Sequence, residues 1–160
     1  MADLNKLLSP LFLNEKEIRK IIELMFFAYR DFTSGPDKVL EKIGFGRAHH
    51  RVIYFVGKQE NLTIKELLSI LQITKQSLSR VLNQLVKERY IVLTIGDDKR
   101  TKKLSLSKKG QELEKKLTNI QITKIYNIIK KFSEDDINGF KKILYSMIEE
   151  NNQKKFNEIN

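Results

Sequence analysis

Cysteine and tryptophan are missing from the sequence, and proline is scarce. Without cysteine, the chain forms no disulfide, no thiolate metal site and no cysteine nucleophile. Only two prolines and seven glycines interrupt the 160 residues, so long helices are the default expectation. No apolar run approaches the roughly 18 residues that a membrane span needs, and the first residues lack the apolar core of a signal peptide. We therefore expect a cytoplasmic protein without a membrane partner.

Motifs of catalytic, nucleotide-binding and metal sites are also missing. The sequence contains no G-x-S-x-G, no Walker motif and no G-x-G-x-x-G. His49 and His50 are adjacent, so on a helix their side chains point about 100° apart and do not chelate one metal through a single face. We expect neither an enzyme nor a protein that carries a cofactor or a metal.

Positive charge is concentrated in the middle of the chain. Lysine and arginine number 30 against 20 acidic residues, which gives a formal net charge of +10. Residues 74–116 hold 12 of the basic side chains and only 5 acidic ones, so most of the excess lies in about a quarter of the chain. A basic segment of this kind favours a polyanionic partner such as nucleic acid. A solvated, lysine-rich helix face is the simpler alternative.

Two longer helices are expected in the first third of the chain. Apolar residues at helical spacing predict a helix over residues 15–33, which Ser34-Gly35-Pro36 is expected to end. A second apolar segment at helical spacing runs from Arg47 to Gly57.

Two shorter helices come next. Thr63-Ile64-Lys65-Glu66 is a capping-box sequence and starts a helix through about Leu71. Thr74 is a good N-cap for the clearest amphipathic helix of the chain, which covers residues 75–88. Two short helices separated by about three residues form a helix-turn-helix.

The apolar period then changes to two, which predicts a β-hairpin. Ile91, Leu93 and Ile95 alternate with other residues, and Leu104 and Leu106 do the same beyond a polar turn. The tip of this wing is residues 96–101. Serines at 107 and 133 then cap two further helices that carry apolar stripes, the last of them extending to Ile148. The predicted fold is mainly α with a small β-hairpin wing.

The helix over 75–88 presents a polar face opposite its apolar stripe. Gln and Asn side chains can bond adenine, and Arg and Lys can bond guanine, from a helix that fits the major groove. Its N-terminal residues matter most, because they point deepest into the groove. An ordinary polar helix face is the alternative. The candidate DNA-binding residues are Thr74, Lys75, Gln76, Ser77, Ser79, Arg80, Asn83 and Lys87.

The wing supplies a second set of candidates. Lys99 and Arg100 project from a narrow turn that can enter the minor groove, where the negative potential is enhanced. Asp98 either orients the Arg100 guanidinium or serves the tight turn. Lys102 and Lys103 flank the tip and suit phosphate, which supplies affinity without sequence information.

These residues resemble the MarR family of winged-helix transcriptional regulators. The most specific part is a D-x-R tip followed by L-(S/T)-x-x-G, and residues 45–51 with 73–78 are similar to the PetP-like branch. The resemblance implies a homodimer on a pseudo-palindromic operator and, commonly, repression. It implies a winged helix-turn-helix over 45–109 and a helical dimerisation domain from 1–34 and 110–160, in one chain of 160 residues. The matching residues are Asp98, Arg100, Leu106, Ser107 and Gly110.

The resemblance also implies that a small phenolic or other anionic molecule acts as an effector. It would bind in a pocket between the dimerisation and DNA-binding regions, and the protein would then release DNA. Tyr29, Phe45, His49 and Arg51 are the candidate lining residues. Core or interlobe packing is the alternative role for these four side chains.

The sequence therefore predicts a homodimeric, sequence-specific regulator of transcription that binds double-stranded DNA. A non-specific architectural or RNA-binding basic module is the first alternative. An adaptor that kept the fold without binding DNA is the second, and the charge of the wing region counts against it. Competition between operator and random duplex distinguishes the first two.

Overall fold

The computed structural model describes residues 14–96, 98 and 100–160. Within these residues it contains seven helices and one three-stranded sheet, which confirms the predicted fold class. None of the helices in these ranges is long and apolar enough to cross a bilayer. The elements are, in order, α1 (Glu15–Glu41), α2 (Arg47–Lys58), β1 (Leu62–Thr63), α3 (Ile64–Leu71), α4 (Lys75–Lys87), β2 (Ile91–Ile95), β3 (Lys102–Leu106), α5 (Lys108–Ile129), α6 (Glu134–Ser146) and α7 (Glu150–Glu158).

The predicted end of the first helix at Ser34-Gly35-Pro36 is wrong, because α1 continues through these residues to Glu41. Proline removes one helical hydrogen bond, but Pro36 is buried and its packing offsets that loss. Gly35 lets α5 approach closely, since a Cβ at this position would lie 2.7 Å from a methyl carbon of Ile120. Packing against α5 thus outweighs the local helix-breaking signal.

The helix-turn-helix forms as predicted. At the start of α3, Thr63 accepts a hydrogen bond from the Glu66 backbone, and the Glu66 carboxylate accepts one from the Thr63 backbone at 2.8 Å. The C-cap of this helix is Gln72, which has a left-handed backbone conformation (φ 50°), and α4 begins three residues later. The stripe of α4 that faces the core consists of Leu78, Val81, Leu82 and Leu85.

The wing is an antiparallel sheet in the order β1-β3-β2. Ile91 pairs with Leu106 and Leu93 with Leu104, so the predicted hairpin is confirmed. The strand β1 was not predicted, because it is only two residues long; it pairs Leu62 with Leu104. Within β2 only Ile91 is buried, so the outer part of the hairpin stands clear of the core.

A tight junction joins the end of α4 to the start of α5. The Ser107 hydroxyl donates to the Arg89 carbonyl at 2.6 Å, and its backbone N–H donates to the Tyr90 carbonyl at 3.0 Å. The Lys109 ammonium donates to the Glu88 carbonyl at 3.0 Å. A Cβ on Gly110 would lie 2.1 Å from the Tyr90 carbonyl oxygen, so only glycine fits there. We call this cluster the α4–α5 junction.

One hydrophobic core connects the wing and the helices. It includes Leu40 from α1, Val52 and Ile53 from α2, and Leu113 and Leu117 from α5, together with the buried face of α4. The C-terminal half of α1 and the N-terminal half of α5 therefore pack with the helix-turn-helix rather than apart from it.

The remaining helical surface carries large apolar side chains that this chain leaves exposed. They lie on the N-terminal half of α1, on the C-terminal half of α5 and on α6. The exposed residues include Leu24, Phe26, Phe27, Ile122, Tyr126, Phe132, Phe140, Ile143, Leu144 and Met147.

The helix with the last apolar stripe was expected to be the final helix of the chain, but α7 follows it as a separate helix. Residues 150–158 include a single large apolar side chain, Phe156, so apolar periodicity did not predict this helix.

Candidate nucleic-acid interface

The polar face of α4 is open to solvent along its whole length. Lys75, Gln76, Ser79, Arg80 and Asn83 together line a shallow groove on the surface of the molecule. Their helix is held from behind by its buried leucines and valine, so the backbone is fixed while the polar side chains stay free to reach a partner. The predicted Lys87 is also exposed, at the far end of the same helix.

Thr74 and Ser77 are occupied at the start of α4. The Thr74 hydroxyl oxygen accepts a hydrogen bond from the Ser77 backbone N–H at 3.1 Å, and the Thr74 hydroxyl donates to the Ser77 hydroxyl at 2.8 Å. The cap directs the positive end of the helix dipole outward, next to Lys75 and Gln76. This end of α4 is therefore suited to a phosphate as well as to a base edge.

The tip of the wing is closed by hydrogen bonds of its backbone. Gly96 donates to the Thr101 carbonyl at 2.8 Å, and Thr101 donates to the Asp98 carbonyl at 2.8 Å. The Asp98 carboxylate accepts from the Arg100 backbone at 3.0 Å and lies 3.5 Å from the Arg100 Nε. It thus makes both contacts that the sequence left open, one within the turn and one to the guanidinium. Lys99 lies outside the described residues.

The cations of the wing differ in their surroundings. The Arg100 side chain is 92% exposed and stands at the tip. On β3, Lys102 is exposed opposite Ile95, whereas Lys103 is partly buried and its stem lies against Gly96. Arg100 and Lys102 are therefore the described wing cations with the freest access to a ligand.

Two of the four predicted effector-pocket residues pack against each other. Phe45 is buried and stacks on His49 with their ring centroids 4.6 Å apart. Tyr29 instead packs under the Arg47 guanidinium, whose central carbon lies 5.7 Å from the centroid of the Tyr29 ring. Arg51 is exposed on α2.

The imidazole of His49 connects α2 to α4. Its Nδ1 accepts from the Gly46 backbone at 3.1 Å, and its Nε2 lies 2.8 Å from the Gln84 side-chain oxygen. The first bond makes Nδ1 the acceptor, so Nε2 carries the proton and donates to Gln84. Gln84 was not among the predicted site residues. Its place on α4, four residues after Arg80, was the available signal.

Metal ligation finds no support in the part of the chain that the structure describes. No group of three or more His, Cys, Asp or Glu side chains could hold an ion there. Both ring nitrogens of His49 are already used by protein groups.

His50 gives the folded chain a predicted sensitivity to acid. Burial lowers its pKa below the ordinary 6.5, and the neighbouring carboxylates of Asp37 and Glu114 oppose part of that lowering. The stability that comes from neutral His50 is therefore complete above its unfolded pKa and is lost as the pH falls towards the folded pKa. We expect His50→Gln to lose less unfolding free energy than the wild type between about pH 7 and pH 5.

Urea unfolding at both pH values, followed by circular dichroism, measures this difference. His49→Gln is a poor control because His49 holds α4, so Lys16→Ala at the exposed start of α1 serves instead. Equal pH slopes for wild type and His50→Gln would contradict the assignment.

Comparison with known proteins agrees with this geometry. The sequence model of the MarR family matches residues 43–101. The HTH-type transcriptional regulator PetP of Rhodobacter capsulatus is 40% identical over 140 residues, which cover 87% of this chain and 84% of PetP.

Solved structures share the fold. Streptococcus pneumoniae FabT in complex with DNA is 21% identical with a TM-score of 0.73, covering 81% of this chain and 94% of FabT. The S. aureus MepR–DNA complex is 21% identical with a TM-score of 0.66, covering 79% of this chain and 94% of MepR. From its winged helix-turn-helix and its match to PetP along most of its length, the chain belongs to the MarR family of transcriptional regulators, with a resemblance to the PetP-like branch.

Proposed function

We propose that the chain acts as a homodimer that binds a pseudo-palindromic operator in double-stranded DNA, with α4 in the major groove and the wing tip in the adjacent minor groove. The observation that carries this proposal is the exposed polar face of α4, which is backed by a packed core and followed by a basic wing. MepR and FabT have both been solved with DNA on this fold, which supports the same use here.

The side chains on α4 supply base recognition in this arrangement. Arg80 sits in the middle of the exposed groove, with Gln76 one turn before it and Asn83 nearly one turn after it. An arginine can bond both acceptors of guanine, and each amide can bond both groups of adenine in the major groove. This row is therefore chemically able to discriminate successive base pairs.

The wing supplies contacts to the backbone and the minor groove. Arg100 enters the minor groove with its guanidinium held by Asp98, so less rotamer freedom is lost on binding. Lys102 and Lys103 contact phosphates. Lys99 belongs to the same proposal through its place in the sequence.

Salt dependence tests the role given to Lys102. A phosphate contact adds the same affinity to every sequence and releases about one counterion. We expect Lys102→Ala to weaken operator and random duplex by the same factor and to flatten the salt slope by about one unit. Fluorescence anisotropy over a salt series measures both, with Lys16→Ala as a control of equal charge. A sequence-selective loss would argue against a phosphate contact.

The exposed apolar surface of α1, α5 and α6 supports the dimer. Many large apolar side chains are exposed on these three helices, and a concentration of such side chains is typical of a protein–protein interface. We assign the dimerisation region to residues 1–34 and 110–160, of which 1–13 lie outside the described residues, and the interface within it to the exposed apolar side chains of α1, α5 and α6. A two-fold dimer would present two α4 helices about 34 Å apart, one turn of DNA.

Repression and release by an effector complete the proposal. A ligand that stacks on Phe45 and His49 would disturb the hydrogen bond from His49 to Gln84, and so reach the helix that carries Arg80. Tyr29 and Arg51 remain predicted members of this pocket.

A competition experiment tests the function as a whole. An operator is first selected from random duplexes by the wild-type protein, and its affinity is then compared with that for unselected duplex at one salt concentration. A specific regulator should prefer its operator by at least ~10³-fold. Equal affinity for both duplexes would favour the non-specific basic module instead.

A further inference from the structure

The C-terminal helix α7 has one covered face that points back at the helix-turn-helix. Asn152, Lys155 and Ile159 are partly buried, whereas Asn151 and Lys154 beside them are exposed. The three covered residues are spaced by three and four positions, so they lie on one side of the helix. This face does not belong to the exposed apolar surface assigned to the dimer.

Two hydrogen bonds connect this end of the chain with the DNA-binding lobe. The Gln72 amide donates to the Asn152 side-chain oxygen, and the Lys58 ammonium donates to the Asn160 side chain. The carboxyl pKa of Glu66 is lowered chiefly by its hydrogen bonds with Thr63, and the Lys155 ammonium adds to this lowering. The ion pair of Lys155 itself is formed with Glu158 of its own helix, at 3.1 Å.

Gln72 is the most informative of these contacts because of its place in the fold. Its left-handed backbone forms the turn between α3 and α4, and the recognition face of α4 starts three residues later. A group that holds Gln72 therefore holds the end of α4 from which Lys75 and Gln76 project.

The other side of α7 is anchored to α6. Phe156 contacts the ring of Tyr145 edge-on at 5.9 Å, and Asn157 donates to the Tyr145 hydroxyl at 3.0 Å. The Gln153 amide donates to the carbonyls of Tyr145 and Ile148 at 3.3 and 2.9 Å. The helix α7 thus links the dimerisation side of the chain to the turn of the helix-turn-helix.

We propose that α7 is a strut that helps to fix the angle between the DNA-binding lobe and the dimerisation helices, and that Asn152 and Asn160 thereby set the half-site spacing that the dimer accepts. This inference rests on the proposed function. The shared core and the α4–α5 junction hold the buried face and the C-terminal end of α4. Contact with α7 adds a hold at the opposite end of that helix, next to the residues that begin its polar face.

A crosslink tests the contact without DNA. The sequence contains no cysteine, so Gln72→Cys with Asn152→Cys gives the only two thiols. A short bis-thiosulfonate reagent is expected to join them within one chain, detected as a linked peptide pair by mass spectrometry and as a monomer on a non-reducing gel. Gln72→Cys with Lys154→Cys, on the exposed face of α7, should not react as a pair. No Gln72–Asn152 link, or a link between two chains, would overturn the proposal.

An operator series tests the consequence for recognition. The selected operator is altered by inserting or deleting one base pair between its half-sites, and wild type is compared with the double variant Asn152→Ala/Asn160→Ala. We expect the wild type to lose about tenfold or more in affinity for the altered spacings, and the double variant to lose about threefold or less. Lys154→Ala should keep the wild-type profile.

Two outcomes of this series are decisive in different ways. Identical spacing profiles for wild type and double variant, at intact operator binding, would overturn the strut. Absence of any operator preference in the wild type would instead refute the proposed function, and the crosslink would still report on the contact itself. Circular dichroism of the double variant checks that the fold is unchanged.

Discussion

Replacing Arg80 with alanine is expected to weaken binding to the operator by about 10- to 100-fold while changing binding to random duplex only slightly. Arg80 is exposed at the centre of the groove on α4, flanked by side chains that can also bond base edges. Loss of its guanidinium removes a bidentate contact to guanine, a loss confined to the matching sequence. Fluorescence anisotropy on both duplexes at one salt concentration measures the two affinities.

Two further variants make the Arg80 result specific. Arg80→Lys keeps the charge but not the planar fork, so it should show most of the selective loss. Lys16→Ala removes one positive charge from the exposed start of α1 and should leave both affinities nearly unchanged. An equal loss on operator and random duplex for Arg80→Ala would show that Arg80 contacts phosphate rather than bases.

Phe26→Ser is expected to convert the dimer to monomers at micromolar concentration and to abolish operator binding. The Phe26 side chain is 71% exposed within one chain, so its removal costs the monomer little. In a two-fold interface each protomer contributes one Phe26, so the free energy of burying this side chain is lost twice. At about 1.5–3 kcal/mol for each buried phenylalanine, the dissociation constant of the dimer rises by about 10²–10⁴.

Analytical ultracentrifugation over a concentration series measures the oligomeric state. Ile95→Ser is the matched control, because Ile95 is 73% exposed on the wing and lies outside the assigned interface. It should leave the dimer intact. If Phe26→Ser and a second variant on α6, Phe140→Ser, both stay dimeric, the interface must lie elsewhere.

Features that depend on neighbouring residues were predictable from the sequence. The side-chain caps at Thr74 and Ser133 are formed within three residues, because Thr74 accepts from Ser77 and Ser133 from Asp136. The stripe of α4 follows from its spacing, and its opposite face is therefore polar and exposed. This is why the fold class and the recognition helix could be assigned without coordinates.

Features that depend on residues distant in the sequence were not predictable. The continuation of α1 past Pro36 requires Ile120, which is 84 positions away and cannot be inferred from the local pattern. The bond between His49 and Gln84 joins helices that only the packed core brings together. The helix α7 has too few apolar residues for its periodicity to predict a helix. The residues that contact this end of the chain, Gln72 and Lys58, lie far earlier in the sequence.

The α4–α5 junction also determines which residues travel farthest if the lobe rotates. It holds the C-terminal end of α4 by hydrogen bonds, whereas Lys75 lies at the opposite end of the helix. The 13 residues of α4 span about 20 Å. A swivel of about 10° about this pivot sweeps Lys75 through an arc of about 3.5 Å, close to the rise of a single base pair. Small rotations of an otherwise rigid lobe are therefore enough to move the base-reading end from one register to the next.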